Sequence, residues 1–130
     1  MRQRPRADRD FYRTPKECVL LANKLMDSSL SWWECCAGDG AISSNLDKVT
    51  YASDIYPMTD GIEKLNVLTC DKPKDVDAII TNPPFFAINK ILDRALFEWK
   101  IPILLLCRIE PLSTKIRNRY TKFISDMHIV

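Results

Sequence analysis

Apolar positions along the 130-residue chain fall into two kinds of run. Short continuous runs read as buried strands, and stripes at three- and four-residue spacing read as helices. The strand-like runs are Leu30 to Cys36, Val49 to Ser53, Asp77 to Thr81 and Ile101 to Cys107, with a weaker one at Lys64 to Leu68. Cys18, Leu21, Ala22 and Leu25 recur at helical spacing, which predicts a helix from about 15 to 26. Thr14 is placed to cap it, with Pro15 at its first position and Glu17 completing a capping box. Ala41 to Leu46 predicts a short helix. Ile88, Ile91, Leu92, Ala95, Leu96 and Trp99 predict a longer one. Ile116, Tyr120, Phe123 and Ile124 mark a last helix within 113 to 125, opposite a basic face. Met127 to Val130 reads as the beginning of a sixth strand.

Strands that alternate with helices imply βαβ units, hence an α/β fold: a mostly parallel sheet with helices on both faces. Such sheets bind ligands at the carboxyl ends of their strands, near the point where strand order reverses. The polar and glycine-rich breaks fall at those ends: Gly38 to Gly40, Asp54, Asn66 and Asn82. Residues 1 to 9, with Arg2, Arg4, Arg6 and Arg9, read as a flexible basic arm, and 10 to 130 as one domain.

Composition narrows the picture. Hydrophobic content of 46% and charged content of 28% are those of a soluble globular protein. A net charge of +2 does not by itself demand a nucleic-acid partner. Lys115, Arg117, Arg119 and Lys122 do form a second basic cluster, which fits either a solvated face or phosphate contact. Five cysteines, two of them adjacent in an apolar run, do not make a disulfide framework, and no spacing resembles a zinc site. Free thiols in a reducing cytoplasm are expected. The single histidine, His128, pairs with no cysteine to make a nucleophile. No apolar run is long enough to span a bilayer, and no signal-peptide core follows the basic arm.

Two stretches carry candidate chemistry. In Asn82-Pro83-Pro84-Phe85, successive prolines fix φ and lack N–H donors, so the chain is stiff and offers carbonyls. An amide precedes them and an aromatic ring follows, a bracket suited to a planar group bearing an amine. An ordinary strand-ending loop has the same local pattern. In Glu34-Cys35-Cys36-Ala37-Gly38-Asp39-Gly40, a strand runs into a glycine turn where a ligand can approach the backbone. The turn lacks the third glycine of a dinucleotide fingerprint and the lysine of a phosphate loop, which favours a ligand without pyrophosphate. Asp54, after the second strand, stands where acidic residues take ribose hydroxyls, although a helix-capping or solvent-facing role fits equally.

In order and spacing, Phe11-Tyr12-x-Thr14-Pro15, Glu34-x-x-Ala37-Gly38-Asp39-Gly40, Ser53-Asp54-Ile55 and Asn82-Pro83-Pro84-Phe85 resemble the amino-methylating DNA methyltransferases. These enzymes use S-adenosyl-L-methionine (S-adenosylmethionine). The order is similar to the adenine-N6 type, and the local phrasing to small phage-encoded members. The resemblance covers roughly residues 10 to 110 and implies a Rossmann-like methyltransferase fold. It implies that Tyr12, Thr14 and Pro15 hold the methionine end of the cofactor. Glu34, Ala37, Gly38 and Gly40 would line its amino-acid and sulfonium region. Asp54 would take the ribose hydroxyls and Ile55 would pack on the adenine. Asn82 and the Pro83 carbonyl would accept hydrogen bonds from the target amine, with Pro84 stiffening the bracket and Phe85 stacking on a base flipped from DNA. No metal is called for. A bacterial or phage-infected cytoplasm is the implied location.

The chain departs from that family twice. The family's acidic residue after the third strand, which contacts the cofactor's adenine amine, is replaced here by Asn66. The family's final β-hairpin and target-recognition region have no counterpart before Val130. The expectation is therefore a C-terminally short catalytic domain, with a second chain or oligomer as a candidate to complete it. The same bracket also suits cytosine N4, an RNA base or a protein glutamine amide. A cofactor-binding protein without turnover is the reading from another class.

Overall fold

The computed structural model describes residues 14–107 and 118–125. Tyr12, the basic arm and the sixth strand lie outside them. Five strands form one sheet: β1 (Trp32–Glu34), β2 (Val49–Asp54), β3 (Glu63–Lys64), β4 (Ala78–Thr81) and β5 (Ile103–Leu105). Their order is β3-β2-β1-β4-β5, and every pairing is parallel. The order reverses beside β1, so the carboxyl ends of β1 and β4 flank the switch point at which open α/β sheets bind ligands.

β1 is short but central. Its adjacent tryptophans point to opposite faces, as successive strand residues must. Trp32 packs with Ala78 and Ile80 under helix α1 (Lys16–Leu25), against Val19, Ala22 and Met26. Trp33 packs with Ile79 on the other face, under helix α2 (Ile88–Asp93), against Ile91 and Ala95. Both indole N–H groups are satisfied: Trp32 Nε1 donates to the Asp27 carbonyl and Trp33 Nε1 to Ser53 Oγ, each at 2.9 Å. Helices thus cover both faces of the sheet. A smaller cluster joins Ile88 and Leu92 to Tyr120, whose hydroxyl donates to Asp93 Oδ1 at 2.7 Å.

Several elements differ from expectation, each for a local reason. The capping box does not form. Pro15, extended at ψ 146°, is the N-cap residue, and α1 begins at Lys16 without a side-chain cap. The Thr14 hydroxyl is engaged instead by Asn82. The helix expected at Ala41 to Leu46 is a series of turns. There Ser44 Oγ and Asn45 Nδ2 donate to the carbonyls of Gly40 and Ala41, the side-chain competition that weakens helices. β3 is only two residues long, because the chain turns at Asn66, whose Oδ1 accepts the Leu68 N–H at 3.0 Å. The long helix after the bracket is divided into a 3-10 turn (Phe85–Ala87), α2 and a π-helical segment (Arg94–Glu98). In the π segment the Trp99 N–H bonds the Arg94 carbonyl at 2.7 Å. That turn brings Trp99 against Trp33, with ring centroids 5.5 Å apart, and Arg94 over the Trp99 ring at 4.4 Å. Lys100, at φ 57°, ends it.

Of the basic C-terminal helix, only 118–125 is described. Its Arg119, exposed, is paired with Asp93 at 3.0 Å. All five cysteines are free thiols. Among the described residues no helix is long and apolar enough to cross a membrane.

Ile91 is fully buried between α2 and the sheet, whereas Leu20 on α1 is 57% exposed. Ile91→Ala should lower unfolding free energy by about 2–5 kcal/mol, and Leu20→Ala by no more than about 0.5 kcal/mol, measured by urea denaturation. Equal effects would contradict the face assigned to α2.

Candidate functional site

The site grows from three loops leaving the carboxyl ends of β1, β2 and β4. The loop after β1 turns sharply at Gly38 and Gly40, whose φ angles of 57° and 84° lie in the left-handed region. A side chain there would be strained whatever space surrounds it. The Gly40 N–H closes the turn on the Ala37 carbonyl at 2.8 Å, and the Ala37 N–H bonds the Ser53 carbonyl at 2.9 Å.

Asp54 ties that turn to β2. Its Oδ2 accepts the Gly38 N–H and its Oδ1 the Tyr56 N–H, both at 2.8 Å, and the residue is buried. Charge-assisted bonds of this kind offset the removal of a carboxylate from water.

Glu34, the last residue of β1, is also buried and accepts the Ser43 N–H at 2.9 Å. Burial pushes its carboxyl up from 4.5 to about 8, and the Ser43 bond opposes this only in part. Glu34 does not border the cavity described next.

Between these loops lies a cavity of about 80 Å³. Asp54, Ile55 and Asn66 line it from the β2–β3 side, Pro84 and Phe86 from the loop after β4, and Cys35 from β1's end. Four residues singled out from sequence therefore meet here: Asp54, Ile55, Asn66 and Pro84. Cys35 is no nucleophile, because burial pushes its thiol well above the ordinary range.

The bracket follows β4 directly. Pro83 and Pro84 are buried, while Phe85 is 64% exposed and lies outside the cavity lining. Asn82 Nδ2 donates to Thr14 Oγ1 at 3.0 Å. This bond joins the first and last sequence stretches of interest across 68 positions. Pro15 is exposed at the start of α1, next to Thr14.

Two contributors were missed in the sequence. Phe86 borders the cavity, and the Phe85-Phe86 pair was its only signal, since the pattern cannot say which of the two exposed rings borders it. Ser43 acts through its backbone N–H, which no side-chain pattern reports. Among the described residues no group of histidine, cysteine, aspartate or glutamate could hold a metal ion. Comparison with protein families, with curated proteins and with solved structures returns no match to the chain.

A Glu34 carboxyl raised by burial binds its proton more tightly in the folded state than in the unfolded one. Its stabilising contribution is complete below about pH 4.5 and is lost as pH rises through about 8. Wild-type stability should fall across that window, and Glu34→Gln, which mimics the protonated form, should flatten the fall. Urea denaturation at a series of pH values reads both. An identical pH slope in the variant would refute the assignment.

Proposed function

We propose that this chain transfers the methyl group of S-adenosylmethionine to an exocyclic amine, with adenine N6 in DNA as the target. One observation carries the reading. Asn82-Pro83-Pro84-Phe85 leaves the carboxyl end of β4, next to the glycine turn leaving β1, at the sheet's switch point. The strand order matches the first five strands of the doubly wound order 3-2-1-4-5-6, which supports the Rossmann-like methyltransferase version of the fold.

The residues present fit an adenosyl cofactor in kind. The cavity offers an apolar floor at Ile55 and Pro84 and acceptors at Asp54 and Asn66. Asp54, aimed by the Gly38 and Tyr56 N–H groups, takes the ribose hydroxyls. Asn66 takes the adenine amine without charge. Its oxygen also holds the Leu68 N–H, so that interaction is weaker than the carboxylate it replaces. Glu34 and the Ala37, Gly38 and Gly40 turn would line the cofactor's amino-acid and sulfonium region, and Tyr12, Thr14 and Pro15 would hold its methionine end.

The bound cofactor supplies a methyl group on a sulfonium that is primed to leave. The protein's part is alignment and charge. An amine conjugated to an aromatic ring is a poor nucleophile, because its lone pair is drawn into the ring. Acceptors at Asn82 Oδ1 and the Pro83 carbonyl draw the amine hydrogens out of the base plane and free that lone pair. They would also offset the positive charge that develops on the target nitrogen as it takes the methyl group. Thr14 holds the nitrogen end of the Asn82 amide, which orients its oxygen as the acceptor. Phe85, exposed on its 3-10 turn, is the platform for a base flipped from the duplex.

One second reading is a cofactor-binding protein without turnover; it is favoured by Asn66, an uncharged acceptor whose oxygen already holds the Leu68 N–H at 3.0 Å.

Saturating S-adenosylmethionine should raise the melting temperature by several degrees through mass action. Mass spectrometry of nucleosides after incubation with DNA should then find N6-methyladenine. N4-methylcytosine, a methylated RNA base or a methylated glutamine would move the target, and binding without transfer would favour the second reading. Asn82→Ala should reduce transfer by about a hundredfold or more while leaving cofactor affinity within a few-fold. Transfer at the wild-type rate would remove Asn82 from the chemistry.

A further inference from the structure

Phe85 and Phe86 stand side by side on one 3-10 turn, yet only Phe86 borders the cavity. Both rings are exposed, at 64% and 66%. The turn beneath them is anchored at each end. Pro84 and Ala87 are buried, and the Ala87 N–H bonds the Pro84 carbonyl at 2.9 Å. Motion is thus left to the side chains rather than to the backbone. A phenyl ring held in water at the mouth of an apolar cavity gains free energy by closing over an apolar surface. Ile55 and Leu65 offer such a surface across the cavity, while Asp54 and Asn66 supply the polar groups at its edge. A flat, amine-bearing ring system with attached hydroxyls matches that combination. At about 80 Å³ the cavity admits it only once part of its lining withdraws. Of the lining side chains in the loop after β4, Phe86 is the exposed one.

We propose that Phe86 is the outer wall of the adenine pocket: its ring swings out to admit the cofactor's adenine and closes on the face opposite Ile55. This inference rests on the methyl-transfer reading. It divides labour between neighbouring rings, Phe86 stacking on the cofactor and Phe85 on the target base. Because one rigid turn carries both, the two planar groups are set in register by two consecutive residues.

Isothermal titration with S-adenosylhomocysteine and with methylthioadenosine, ligands that share the adenine and do not react, tests it. Phe86→Ala should weaken both ligands by the same factor, about five- to a hundredfold, because the lost contact lies at the adenine they share. Phe86→Tyr, which keeps the ring, should bind like wild type, and Phe85→Ala should change affinity by less than about twofold. Circular dichroism of each variant should match wild type, as expected for exposed positions. Phe86→Ala binding within twofold of a wild type that does bind would overturn the role of Phe86 alone. So would a loss in Phe86→Tyr as large as in Phe86→Ala. Failure of the wild-type protein to bind either ligand would overturn the methyl-transfer reading, and this inference with it.

Discussion

The carboxylate of Asp54 is buried at the end of β2 and accepts the backbone N–H of Gly38 on one oxygen and that of Tyr56 on the other. A charge removed from water must find such partners, and here they belong to two different loops. The bond to Gly38 fixes the glycine turn after β1 against the end of β2, and the bond to Tyr56 directs the chain away towards β3. The cavity between the loops owes its shape to this arrangement. Beside these bonds, the Ala37 N–H bonds the Ser53 carbonyl at 2.9 Å and the Met58 N–H the Gly38 carbonyl at 3.3 Å, so the turn is tied to β2 and to the segment that follows it.

The bracket after β4 is held by different means. Two buried prolines limit its backbone, and Thr14 grips the Asn82 amide from the segment that enters α1. That grip explains why Thr14 does not cap its own helix: one hydroxyl serves the distant amide. Helix α1 begins without a side-chain cap, and its stability rests on Val19, Ala22 and Met26 packing against the sheet. The site therefore takes an interaction away from local helix formation, and burial of one helix face compensates.

The two buried carboxyl groups at the site are held differently. Asp54 is held by two backbone N–H groups at the cavity edge, whereas the equally buried Glu34 has one such bond, and burial favours its protonated form. Two carboxyl groups at the ends of adjacent parallel strands thus have different environments. In the proposed reaction this separates an acceptor for sugar hydroxyls from a group that a cationic amine would draw into its charged form.

The alternation of strand and helix, the helices on both faces and the breaks at the strand ends were legible in the sequence. They depend on apolar periodicity and on glycine and proline, which act over a few neighbouring residues. Asp54, Ile55, Asn66 and Pro84 could be picked out for the same reason, each beside a strand-like run. The failures have two causes. The Thr14 cap and the unbroken helix after the bracket were overruled by distant partners, Asn82 for Thr14 and Trp33 for Trp99. The helix at Ala41 to Leu46 and the length of β3 were overruled nearby, by side-chain bonds to backbone groups two to four residues away, which apolar periodicity does not report. Which of the rings at Phe85 and Phe86 borders the cavity belongs with the first cause. Local sequence determined where the chain turns and what chemistry it carries there. Only the tertiary structure decided which of those groups meet, because hydrogen bonds and ring contacts between strand ends join residues whose spacing along the chain carries no periodic signal.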